Sequence, residues 1–289
     1  MSLLGIDVGG TTVKGQLKDA EGRLLGEWRQ ATPRGDADGR ETVQVIVELL
    51  AAARKVAPVA AVGVAVPGIV DEASGVCLYA VNLSWQNLPI AQLLRDRIET
   101  PLAFGQDVRA GALAEAVSGA AEGYEGTFAF VPIGTGLASA IGTHGRIAPR
   151  QEWPGEIGQL VISKGRNAGR RVEEIASASG IARAAGATNA REVAQRVLAG
   201  NRTAMAIWND AVELLGESIA SIVTDADATL IVVGGGLAQA GTLLLEPLAK
   251  AIRGRLPDVP GVGLKLAAHG DSAAMIGAVE LARRLVSAK

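Results

Sequence analysis

Asp7 stands at the mouth of a glycine turn, Gly9-Gly10-Thr11-Thr12, that follows the short apolar run from Leu3 to Ile6. Val13 and Leu17 then resume an apolar alternation, so the stretch 3–14 reads as strand, tight turn and second strand. Glycines let a backbone approach a ligand closely, and main-chain N–H groups with the Thr11 and Thr12 hydroxyls can surround phosphate oxygens. A carboxylate at Asp7 can hold a hydrated Mg2+ beside them. An ordinary hairpin has the same local sequence, so the turn alone leaves both readings open. The second carboxylate of interest is Asp107, in AFGQDVRAGALAEA, between a short apolar run and an alanine-rich helix. There it can accept the proton of an attacking hydroxyl while a phosphoryl group arrives in line; a plain helix N-cap is the alternative.

Two more glycine turns follow apolar runs, Gly134-Thr135-Gly136 and Gly234-Gly235-Gly236, each at the strand edge where ligands lie in α/β folds. Three such turns suggest a nucleotide held by two lobes. The chain has neither GxxxxGK[ST] nor GxGxxG after a strand, which leaves phosphoryl transfer without a Walker loop as the leading chemistry. Glu156 and Glu173 are placed near turns and suit vicinal hydroxyls, with surface solvation as the alternative, which fits Glu174 well. His144 and His269 lack partners at metal-ligand spacing and are expected to be structural or surface residues.

The elements that must position these groups follow from periodicity. After the first hairpin, a turn at 19–22 and a strand at 23–30 give an antiparallel meander. Residues 33–39 form a polar loop. Val43, Ile46, Val47, Leu50 and Ala51 are at helical spacing in 41–55, and 60–66 is a buried strand that stops at Pro67-Gly68. A helix at 90–98, a strand at 101–104 and a helix at 108–118 complete the first half. VPIGTGLASAIGTHG then repeats the order of IDVGGTTVKGQLKDAEG, strand, glycine turn, strand, turn, which indicates an internal duplication. Strands are expected at 128–135, 137–142, 229–233 and 264–268, and helices at 172–186, 190–199, 203–226, 243–255 and 273–286. The boundary near 119–126 carries no proline- or serine-rich linker and reads as a hinge.

The chain has 289 residues, 48% of them hydrophobic but only 3% aromatic, enough for one large or two medium domains with aliphatic cores. A formal charge of −2 gives no bulk attraction to nucleic acid or anionic membrane. The lone Cys77 excludes an intramolecular disulfide and any multi-cysteine zinc site. No signal-peptide pattern or apolar run of spanning length is present, so a soluble cytoplasmic protein is expected.

At this point the motifs match a known family. IDVGGTTVKG, VAVPGIVD, NLSWQNLPI, QDVRAGALAE, IGTGLASAI, PGEIGQLVI, VEEIASASGIAR, VVGGGLAQAG and HGDSAAMIGA, in that order, resemble the ROK family (repressor, open reading frame, kinase) of the actin-like ATPase superfamily, and within it the glucokinases. The resemblance implies two actin-like, ribonuclease H-like α/β lobes with an interlobe cleft. The first would span 1–118, with the last helix, about 273–289, packed back onto it. The second would span 119–272 and carry dimerisation and part of the nucleotide site. It implies ATP and Mg2+ at Asp7, Gly9, Gly10, Thr11, Thr12, Lys14, Gly134, Thr135, Gly136, Gly234, Gly235 and Gly236, with Mg2+ reached from Asp7 through water. Asp107 would be the general base for the 6-hydroxyl of a hexose, glucose first. Gly68, Asn82, Gln106, Asp107, Glu156, Gln159 and Glu173 would contact the sugar. A homodimer is the implied assembly, and the start at the phosphate turn suggests the kinase branch and not a repressor.

Two departures from the family pattern stand out. Gln106-Asp107 replaces Asn-Asp, which shifts or removes one sugar contact. Gln159 replaces the histidine of GEIGH, and the following zinc-binding cysteine positions fall near Lys164, Arg166 and Arg171, so no zinc site is expected. The segment 164–171 is then held by charge pairing or is mobile. Its basic run, Lys164, Arg166, Arg170 and Arg171, suggests polyphosphate as an alternative donor, with a solvated loop as the blander reading. A catalytically silent sugar-binding or regulatory protein is the competing reading from another class.

Overall fold

The computed structural model describes residues 1–259 and 261–287, and the chain divides into two compact units. The first comprises Met1–Ala114, Pro149–Glu152 and the residues from Ser272 through the last helix; the second comprises Glu115–Ala148 and Trp153–Asp271.

In the first unit, β1 (Ser2–Val8), β2 (Thr12–Lys18) and β3 (Leu24–Ala31) form the expected meander. All seven residues of β1 are buried, as a central strand covered on both faces requires. β3 only alternates between half-buried and exposed positions, which suits an edge. Helix α1 (Arg40–Arg54) turns Val43, Ile46, Leu49, Leu50 and Ala53 inward. Its start is fixed by Asp36, from the loop read as merely polar: the buried carboxylate accepts the Glu41 and Thr42 N–H groups, and Trp85 Nε1 donates to its carbonyl. β4 (Val59–Val66) runs parallel to β1. A small sheet of β5 (Ile69–Asp71), β6 (Val76–Ala80) and β7 (Trp85–Leu88) follows, which the periodicity of this short, turn-rich stretch does not announce. Then come α2 (Ile90–Arg95), shorter than expected, β8 (Leu102–Gln106), parallel to β4, and α3 (Asp107–Ser118).

The second unit repeats the plan with β9 (Thr127–Pro132), β10 (Ala140–Thr143) and β11 (Arg146–Ile147) as an antiparallel meander. The expected strand at 137–142 starts only at Ala140, because the wide Gly134–Gly136 turn leaves Leu137 with an isolated bridge to Ile133. The expected helix at 172–186 is two helices, α4 (Val172–Ala176) and α5 (Ala178–Ala184). Ser177 breaks it: its backbone is extended and its side chain caps α5 by accepting the Gly180 N–H. α6 (Ala190–Leu198) and α7 (Arg202–Ala226) precede β12 (Leu230–Gly234), α8 (Thr242–Arg255) and β13 (Gly263–Leu266).

The two five-stranded sheets have the same order, β3-β2-β1-β4-β8 and β11-β10-β9-β12-β13, each with an antiparallel meander followed by two parallel strands. The duplication read from the sequence is therefore a duplication of topology. The last helix, Ala273–Ser287, belongs to the first unit; the expectation that it reaches 289 lies, for its last two residues, outside the described residues. It meets both the sheet and α3 through glycine: a Cβ on Gly63 of β4 would run into the Ala278 carbonyl oxygen, and one on Gly277 into that of Ala110 in α3. Among the described residues, no helix is long and apolar enough to cross a membrane.

Candidate active site

The candidate residues fall into one group on each unit. On the first, β1 delivers Asp7 one residue before its end, paired in register with Lys14 on β2, whose Nζ lies 3.9 Å from Asp7 Oδ2. Within the turn, Gly9 N–H donates to the Thr12 carbonyl, while the Gly9 and Thr11 carbonyls accept from the Thr32 hydroxyl and N–H. This bracing leaves Gly10 and Thr11 exposed at the tip. A Cβ on Gly10 would lie 2.9 Å from Cβ of Asn82, so glycine there admits the Asn82 side chain beside the turn. Gly68, at φ 94°, has its own steric reason, since a side chain would strike the Tyr79 carbonyl.

Asp7 is 8% exposed, and burial pushes its carboxyl up from 3.8 to about 6, an effect that the Lys14 charge only partly offsets. A buried carboxylate in that condition is stabilised by an added cation, and its hard oxygens suit Mg2+. Among the described residues, no three His, Cys, Asp or Glu side chains gather as a metal cage. The Asp7 carboxylate thus suits an ion that keeps most of its shell as water and ligand oxygens.

Asp107 opens α3 directly at the end of β8. It is not the cap the sequence suggested as the alternative: Gln106 Oε1 accepts the Arg109 N–H at 2.9 Å and fills that role. Asp107 Oδ1 instead receives the Val108 N–H at 2.8 Å and Gln106 Nε2 at 2.7 Å. The carboxylate is half-buried and oriented by two donors on one oxygen.

On the second unit, the Gly134 and Gly234 turns are joined. Ile133 N–H donates to the Gly234 carbonyl and Leu237 N–H to the Ile133 carbonyl, and Gly235, at φ 75°, lies against the Ile133 backbone. Thr135 and Gly136 are exposed, and neither Gly134 nor Gly236 has an atom within 4 Å of where a Cβ would be. Both turns therefore offer open backbone. Beside Gly236 lies a pocket of about 200 Å3 lined by Ala190, Arg191, Ala194, Leu198, Leu237 and Leu243, which the sequence reading did not foresee because α6 supplies half of it. Gln159 Nε2 donates to Glu173 Oε1 at 2.8 Å, and Glu173 also reaches toward Gly136. Glu156 is half-buried just before this pair.

The segment 164–171 is held by more than charge. Ile162 and Arg170 form a backbone ladder at 2.8 Å, closed by Gly169 N–H to Ile162 and Val172 N–H to Leu160. Arg166 pairs with Asp210, and Arg170 lies 3.6 Å from Glu174. The His269 ring lies with Nε2 3.0 Å from the Ser118 hydroxyl, and the backbone N–H groups of Ala268 and His269 both donate to the fully buried Glu115 carboxylate. His144 lies in a turn at φ 49° and is exposed.

A glucokinase of Halalkalibacterium halodurans is 28% identical over 95% of this chain and 92% of its own. A ROK hexokinase structure from Thermus thermophilus is 27% identical, with a TM-score of 0.83 over 99% of this chain and 100% of that one. An inorganic polyphosphate/ATP-glucomannokinase structure from Arthrobacter sp. strain KM is 29% identical, with a TM-score of 0.72 over 98% and 99%. The two-lobed actin-like fold expected from the motifs is thus the fold of these neighbours. The ROK family model matches residues 3–285, through both repeated sheets and the last helix, and the chain belongs to the ROK family.

Proposed function

We propose that this protein is an ATP-dependent hexose kinase that transfers the γ-phosphoryl group to the 6-hydroxyl of a hexose, with glucose the first candidate. The observation that carries the reading is Asp107, a carboxylate held by two donors at the junction of β8 and α3. In the reaction, Asp107 accepts the 6-hydroxyl proton as that oxygen attacks phosphorus and the bond to the ADP oxygen breaks. The products are the sugar 6-phosphate and ADP.

The open turns at Gly9 to Thr12, Gly134 to Gly136 and Gly234 to Gly236 would offer N–H groups and hydroxyls to the phosphates, with Lys14 adding positive charge. The pocket beside Gly236 has the size and apolar lining for a purine base. Asp7 would hold Mg2+ through water, and a bound Mg2+ supplies charge neutralisation of the phosphate oxygens. Gly68, Asn82, Glu156, Gln159 and Glu173 would serve the sugar hydroxyls. A homodimer in the cytoplasm is part of the proposal, and sedimentation equilibrium tests the dimer.

A second reading, polyphosphate as donor, is favoured by the likeness to the polyphosphate/ATP-glucomannokinase. The pairing of Arg166 with Asp210 and of Arg170 with Glu174 counts against it, since it neutralises two of the four charges in the basic run. The test is a coupled assay with MgATP, and with polyphosphate at equal phosphate, against hexoses, hexosamines and N-acetylhexosamines. Turnover on one sugar that Asp107→Asn abolishes supports the kinase. Calorimetric sugar binding without turnover on any donor would replace it with a silent binding protein.

A further inference from the structure

The Gln106 amide is engaged by its own chain at both ends: Oε1 accepts the Arg109 N–H at 2.9 Å, Nε2 donates to Asp107 Oδ1 at 2.7 Å, and the residue is 4% exposed. Glu72, just after β5, closes the arrangement. Its Oε1 accepts the Gln106 N–H at 2.9 Å, and its Oε2 accepts Arg109 Nε at 2.9 Å. Arg109 is 8% exposed and also reaches the Val70 carbonyl at 3.3 Å. Three separate pieces of chain, the end of β5, the end of β8 and the first turn of α3, are thereby tied into one network around Asp107. The Arg109 guanidinium is the buried partner and the Glu72 side chain is 27% exposed, so turning Glu72 away would leave a buried charge unpaired, which stiffens the pair.

We infer that Gln106, Glu72 and Arg109 are positioning residues that aim the Asp107 carboxylate, and that Gln106 is not a ligand of the sugar. The inference rests on the reading of Asp107 as the base. Gln106 sets the carboxylate by a direct bond, and Glu72 acts through Gln106 and Arg109. The charged and titratable groups this network and its surroundings bring toward Asp107 include Glu72, Arg109 and the thiol of Cys77, which burial, with the Asp107 charge adding to it, pushes up to about 11.

The test compares Glu72→Gln and Gln106→Leu with the unmodified protein, reading kcat, sugar KM and the pH profile, with melting curves to show that each variant folds. Misplacing a reacting group by a fraction of an ångström lowers kcat by about 10- to 100-fold while leaving sugar binding within about 2-fold. In Gln106→Leu the acidic limb of kcat moves to higher pH, because the ionised carboxylate has lost the Gln106 Nε2 donor. A 10-fold or greater rise in KM with kcat and the limb in place would make Gln106 a sugar ligand and overturn the inference. A second readout needs no turnover: carboxyl carbon NMR of Asp-labelled protein, with Asp107→Asn to assign the signal. The Asp107 midpoint should rise in Gln106→Leu. A midpoint that stays put refutes the positioning role even in a protein that phosphorylates no sugar, whereas silence in the assay alone refutes only the kinase reading.

Discussion

Asp7→Asn should make the metal-free protein more stable at neutral pH while removing the group that would hold Mg2+. Burial lifts the Asp7 carboxyl from 3.8 to about 6, against a weaker opposing effect of Lys14. A native-state value above the unfolded one means that the protonated form is favoured by folding, so this contribution is fully present below pH 3.8 and is lost as pH rises through about 6. The interval from 3.8 to about 6, at about 1.4 kcal/mol per unit, makes the ionised carboxylate unfavourable by about 3 kcal/mol at pH 7. Asparagine has nearly the same shape and no charge. The stability difference between variant and parent should therefore grow from near zero at about pH 4 to as much as about 3 kcal/mol at about pH 7.5, or about 6–12 °C in melting temperature. Urea titrations in the presence of a chelator, followed by circular dichroism across that range, measure it. Mg2+ with nucleotide should stabilise the parent and not the variant. A variant no more stable than the parent, with a difference flat in pH, would refute the argument that Asp7 is an uncompensated buried charge.

The close packing of the last helix gives a second expectation. Gly277→Ala forces a methyl group into the Ala110 carbonyl and should destabilise by about 1–3 kcal/mol or more, read by urea unfolding. Asn189→Ala removes the side-chain oxygen that accepts the Glu192 N–H at 3.0 Å and should lose about 1 kcal/mol, with hydrogen exchange faster at the start of α6. Arg170→Ala breaks an ion pair whose side chains are 46% and 41% exposed, so global stability should move by less than about 1 kcal/mol. The Ile162 amide should stay protected in that variant, because its bond is to the Arg170 backbone. A chelator should leave the melting temperature of the protein as purified, without nucleotide, within about 1 °C, since the side chains at 164, 166 and 171 are cations and not ligands.

The strongly periodic parts of the chain were legible. β1, α1, β4, α7 and β12 lie within a residue or two of their expected spans, the helices because one face repeats at helical spacing and the strands because each is a short continuous apolar run bounded by turn residues. The doubled motif order also gave the doubled sheet. The small sheet β5-β6-β7 was not legible: strands of three to five residues between turns bury too little to leave an alternation. The break at Ser177 was missed for another reason, since a serine within a helical pattern caps a new helix only once the fold directs its oxygen to the Gly180 N–H.

At the candidate site, the positions of Asp7, Asp107 and the glycine turns were readable because turn chemistry is local, but the bonds among them were not. Nothing in the spacing says that Glu72, 34 residues before Gln106, accepts its N–H, or that Gln159 donates to Glu173. These pairings bear on the two departures from the family pattern. A glutamine in place of asparagine suggested a lost sugar contact, and a missing zinc cluster suggested a loose loop. In the fold, each departure comes with bonds internal to the chain: the longer amide spans from the Arg109 N–H to Asp107, and the loop closes on its own backbone ladder and two ion pairs. The buried Gln106 and Arg109 are both bonded around the candidate base, which keeps its carboxylate oriented as a working base requires. The proposed kinase therefore stands or falls on that orientation: turnover that Asp107→Asn abolishes and Gln106→Leu lowers supports it, and sugar binding without turnover replaces it with the silent binding protein.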